Sequence, residues 1–65
     1  MAPAFEADAV IRQVTNKLVI AYPDRSRDLI ELRVRDEVRA LEDSPVTAYI
    51  GIIAERRVRS RLRAG

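Results

Sequence analysis

Apolar residues recur at three- and four-residue intervals through most of the chain, the repeat an α-helix shows along one side. In the first stretch Ala7, Val10, Ile11, Val14, Leu18, Ala21 and Tyr22 fall on one stripe at about 100° per residue, opposite Arg12, Gln13 and Asn16. This predicts a helix over about 6–22. Glu6 and Asp8 suit the positive end of its dipole, and Pro23 ends it, since proline cannot donate to the preceding turn and pushes its predecessor out of helical geometry. A second stripe, Ile30, Val34, Val38 and Leu41, predicts a helix over about 27–43. Ser26 is its N-cap and Asp28 lies in its first turn, although Leu29 stands where a full capping box would carry Glu or Gln.

Ser44 followed by Pro45 is an N-cap and first-position signal for a third helix over about 45–63. Val46, Tyr49, Ile50 and Ile53 open its apolar face, and Val58 and Leu62 continue it on a row that drifts around the axis. The drift predicts curvature or a change of partner near the end. Gly51 inside this helix costs about 1 kcal/mol relative to Ala, and we read it as permitting close helix approach. Connections of four or five residues favour antiparallel neighbours. The expected architecture is one all-α domain spanning residues 1–65, a compact three-helix bundle with short connections.

Sixty-five residues bury little. A domain of this size hides only about 60 % of the surface its unfolded chain exposes, so its own core leaves a thin margin. The chain has neither Cys nor His, which removes disulfides and conventional zinc ligation as supports and leaves oligomerisation. Large apolar residues outside the three stripes point the same way. Ile20 projects from the far side of the first helix, Leu29 and Leu32 share a second arc on the second, and Ile52 lies away from the core face of the third, with Phe5 ahead of them all. Burying one such side chain stabilises by roughly 1.5–3 kcal/mol, so three or four in a shared interface exceed what the monomer holds in reserve. The expected partner is a second copy or a related protein, with some of Ile20, Leu29, Leu32 and Ile52 at the interface.

Charge is divided along the chain. Residues 1–44 carry seven basic and nine acidic side chains, whereas residues 45–65 carry five arginines and the single acid Glu55. Arg57 and Arg61 continue the face of Tyr49 and Ile53, so their stems cover the bundle while their heads reach acids such as Glu31, Glu37 or Asp43. With Arg56 they are the ion-pair or partner-binding residues expected here. The alternative is a small nucleic-acid-binding protein using the same arginines. Against it, a helix-turn-helix reader presents the N-terminal part of its recognition helix to the bases, and here that part, Pro45 to Tyr49, has no basic side chain. Arginines at the opposite end also suit the negative end of the helix dipole. Three aromatics provide no interleaved stacking platform for single strands, and Tyr22 and Tyr49 are expected at the core or its rim.

Catalysis is not expected. Ser26, Ser44, Thr15 and Thr47 lack a nucleophile elbow, a Gly-rich phosphate loop or a histidine around them, and both serines are explained as caps. Asp36-Glu37 and Glu42-Asp43 are adjacent pairs that point to different sides of a helix, unlike a metal site. No cofactor, metal or small-molecule substrate is expected, because so small a bundle has little volume for a pocket. No run approaches the roughly 20 apolar residues that span a bilayer, and the first residues lack a basic start followed by an apolar stretch. The expectation is a soluble cytoplasmic protein without membrane contact.

The order of these signals resembles a known family. Leu18 with Tyr22-Pro23-Asp24, Ser26-Arg27-Asp28, Ile30 and Val34, then Val46 with Tyr49-Ile50, Ile53, Glu55-Arg56-Arg57 and Arg61-Leu62, is similar to a small three-helix dimerisation domain of actinobacteria. That domain also occurs in front of low-molecular-weight phosphatase-like arsenate reductases. The resemblance covers roughly residues 8–63 and implies a helical module for self-association, alone or attached to a catalytic domain. It does not imply reductase activity, since the phosphatase-like domain carries a loop cysteine and this chain has none. Gly51 stands where the resemblance implies proline.

Overall fold

The computed structural model describes residues 6–43 and 49–64, and these form three helices: α1, Ala7–Ala21; α2, Arg27–Leu41; and α3, Ile50–Ala64. There is no strand among the described residues. The architecture is the expected all-α three-helix bundle, with an extent of 40 × 20 × 15 Å. The predicted limits of the first two helices hold to within two residues. The Ser44-Pro45 start of the third, with Phe5 and Val46, lies outside the described residues, and α3 runs one residue past its expected end.

Local chemistry accounts for the ends. Before Pro23 the chain leaves helical geometry at Tyr22, whose N–H still donates to the Leu18 carbonyl at 2.8 Å. Ser26 caps α2 as predicted, its hydroxyl accepting the Leu29 N–H at 3.4 Å. Contacts between helices fix their directions. Val10, Lys17 and Tyr22 of α1 meet Gly51, Glu55 and Arg59 of α3 in the same order, so α1 and α3 run parallel. Asn16 bonds Arg27 at the start of α2, which turns back between them.

The core takes Ile11, Val14, Thr15 and Leu18 from α1, Ile30, Val34 and Val38 from α2, and Ile50, Ala54, Val58 and Leu62 from α3, with Ala7, Val10, Val19, Tyr22 and Leu41 packed at its margin. Three expectations need correction. Tyr49, assigned to the core face of the third helix, is exposed; Ile53 is only half-buried; and Ala21 is exposed. The row that α3 buries has strict i, i+4 spacing, and each step advances about 40° around the axis. A row so inclined stays against the core only if α3 lies obliquely across its neighbours, which turns Tyr49 and Ile53 aside and places Ala54 at the contact. The predicted drift is therefore the packing ridge itself.

Candidate functional site

Among the described residues five large apolar side chains lie outside the core: Ile20 (80 % exposed), Ile52 (58 %), Tyr49 (57 %), Leu32 (55 %) and Leu29 (42 %). Four of them are the residues singled out from the sequence, and Tyr49 joins them because α3 rotates it outward. They do not form one patch. Ile20 follows the buried Leu18 by two residues and Ile52 follows the buried Ile50 by two, which places each about 200° from the core on its own helix. Leu29 and Leu32, three apart, share the outward arc of α2, as Tyr49 and Ile52 share an arc at the start of α3. One interface therefore takes some of the four candidates, as expected of a subset, and not all of them.

Next to Ile52 lies a half-open groove of about 260 Å³ between α1 and α3, lined by Val10, Gln13, Val14, Gly51 and Ile52. Gly51 helps to open it: a β-carbon there would meet only the Val10 Cγ1, at 3.4 Å. The groove is bounded by Lys17 and Glu55, whose ion pair at 3.4 Å ties the helices together. Glu55 also accepts from Arg59 at 3.0 Å. Burial works against the Glu55 carboxylate, but the hydrogen bonds and charges of Arg59 and Lys17 outweigh it and hold the carboxyl below its ordinary value.

The arginine cluster is largely engaged within its own subunit. Arg57 and Arg61 converge on Glu37 at 3.4 and 3.7 Å, as predicted from their shared row. The other two anticipated acids are not used: Glu31 pairs with Arg35 one turn along α2, at 3.1 Å, and Asp43 has no ion pair among the described residues. Arg59, outside the predicted set, lies over the Tyr22 ring with its guanidinium carbon 6.0 Å from the centroid, while Arg56, inside it, has no ion pair among the described residues. These pairs are exposed on the arginine side, so their effect is mainly to orient side chains.

Two features escape sequence reasoning. Arg25, in the connection between α1 and α2, donates to the Leu62 carbonyl at 2.7 Å and satisfies one of the last carbonyls of α3. No local pattern announces a partner 37 positions away. Thr15 is 1 % exposed and its hydroxyl has no hydrogen-bond partner among the described residues. Among the described residues there is no group of three His, Cys, Asp or Glu side chains that could hold a metal ion, and no helix long and apolar enough to cross a membrane. Comparison of the chain with family models, curated proteins and solved structures finds no match.

Proposed function

We propose that the chain is a non-catalytic dimerisation module, a small helical bundle whose working surface is apolar and whose partner is a second copy or a related protein. The observation that carries this reading is Ile20, a large aliphatic side chain 80 % exposed on a helix that already buries Ile11, Val14 and Leu18 in the core. Any one exposed aliphatic is ordinary. Five among the described residues hold an unused hydrophobic driving force comparable with the stability of the domain itself. The resemblance to actinobacterial dimerisation domains, including those preceding phosphatase-like arsenate reductases, supports the same role, and a reducing cytoplasm suits a chain without cysteine.

The competing role, nucleic-acid binding through the C-terminal arginines, is disfavoured because Arg57, Arg59 and Arg61 already face Glu37 and Glu55. Sedimentation equilibrium at high micromolar concentration distinguishes the two. The expected mass is twice the 7.4 kDa of one chain; a folded species of one-chain mass contradicts the proposal. Fluorescence anisotropy with duplex DNA at low and moderate salt is expected to show no tight, salt-sensitive binding, and finding it would favour the alternative.

A further inference from the structure

The proposal that follows rests on self-association and locates it. Val10, Gln13, Lys17 and Ile20 recur along α1 at spacings of three, four and three and fall within an arc of about 80°. Val10 and Lys17 meet Gly51 and Glu55 of α3, so one edge of this stripe borders α3, and Ile20 lies at its outer edge, about 80° around the helix from Val10. It is also self-complementary. If a second α1 runs antiparallel to the first, with the two-fold axis passing opposite Thr15, Val10 faces the partner's Ile20 and Gln13 faces the partner's Lys17, each pair occurring twice.

We infer that two copies of this chain associate through the α1/α3 face, the Ile20 side chain of each seated in the other's groove between Val10, Gly51 and Ile52. The groove, about 260 Å³, is large enough for an isoleucine side chain. One register thus covers Ile20, the most exposed large aliphatic among the described residues, and Ile52, and it accounts for the missing side chain at Gly51, which keeps the groove open. Charge favours this face. Lys17 and Arg59 both pair with Glu55 there, so the ionic groups bordering the groove are already engaged within each copy. By contrast the α2/α3 face crowds Arg33, Asp36, Glu37 and Arg61 around a depression of about 90 Å³, too small for a large side chain. The area is adequate: a standard interface covers about 800 Å² per partner, and one long side of a body 40 × 20 Å offers that order of surface.

The chain contains no cysteine, so introduced thiols report without background. Ile20→Cys and Ile52→Cys variants are mixed and oxidised at concentrations where the wild-type sediments as a dimer. A disulfide-linked heterodimer is expected from the mixture, with little linkage from Ile20→Cys alone, because the two copies of position 20 lie at opposite ends of the interface. In parallel, Ile20→Asp and Ile52→Asp are each expected to weaken association at least about 100-fold, since each change acts twice. Leu29→Asp and Leu32→Asp are expected to leave it intact, and helical circular dichroism confirms that each variant is folded. A dimer broken by the α2 substitutions and not by those at positions 20 and 52, or linked through Ile20→Cys alone, overturns this face while leaving self-association standing. A monomeric wild-type chain overturns both.

Discussion

Thr15 and Glu55 are two polar groups that the fold treats in opposite ways. The Thr15 hydroxyl is sealed in the core without a partner, so it bears the cost of leaving water and recovers none of it. Thr15→Val keeps the shape and removes that cost; it is expected to raise unfolding stability by about 1 kcal/mol, measured by urea denaturation. A loss of stability would mean that the hydroxyl is bonded. Glu55 instead holds Arg59 of its own helix and Lys17 of α1, and its carboxyl is depressed below the ordinary 4.5. A depressed carboxylate contributes stability that is complete above its unfolded value and disappears as pH falls through the lower, folded one. Thermal midpoints should therefore decline as pH drops below about 4.5, and Glu55→Gln should flatten part of that decline. Neither role was legible in the sequence. A threonine on a stripe counts as polar in any hydropathy pattern, and the partners of Glu55 depend on the register between α1 and α3.

At the scale of elements, α1 and α2 were almost fully legible because each carries its own stop or start chemistry, Pro23 and Ser26, and an apolar stripe that keeps to one side. α3 was legible as a helix but not in its facing. Its sequence offers two apolar rows, one through Tyr49 and Ile53 and one through Ile50, Val58 and Leu62, and only the oblique packing against α1 and α2 selects the second. Alanine at position 54 carries no strong signal, yet it is fully buried. Two substitutions probe this helix. Gly51→Ala places its methyl at ordinary contact distance from Val10, so folding stability should rise by up to about 1 kcal/mol from helix propensity. The same methyl narrows the groove, so self-association should weaken; a gain in both contradicts the assigned register. Arg25→Ala removes the bond to the Leu62 carbonyl and should cost about 1.5–3 kcal/mol in thermal or denaturant unfolding, the range for a hydrogen bond from a charged group. An unchanged midpoint would show that this tie between the connection and α3 does not stabilise the fold.

For the whole molecule, the bundle and its surplus of apolar surface could be read from residue spacing alone, because periodicity reports which side of a helix is apolar. How those surfaces group could not. Ile20, Leu29, Leu32 and Ile52 were equal candidates in the sequence, but three helices packed around a core turn their outer arcs in different directions, and of the four only Ile52 lines the groove between α1 and α3. Of the three acids anticipated for the arginine-rich end, Glu37 alone is met, since Arg57 and Arg61 lie one turn apart on the row facing α2. On the proposed self-association, a second copy supplies apolar burial that a single chain lacks, and folding and association are coupled. Thermal unfolding followed by circular dichroism over about a hundredfold range of chain concentration tests this directly. The midpoint is predicted to rise steadily with concentration; a midpoint that does not move, at concentrations where the chain is folded, would contradict the account.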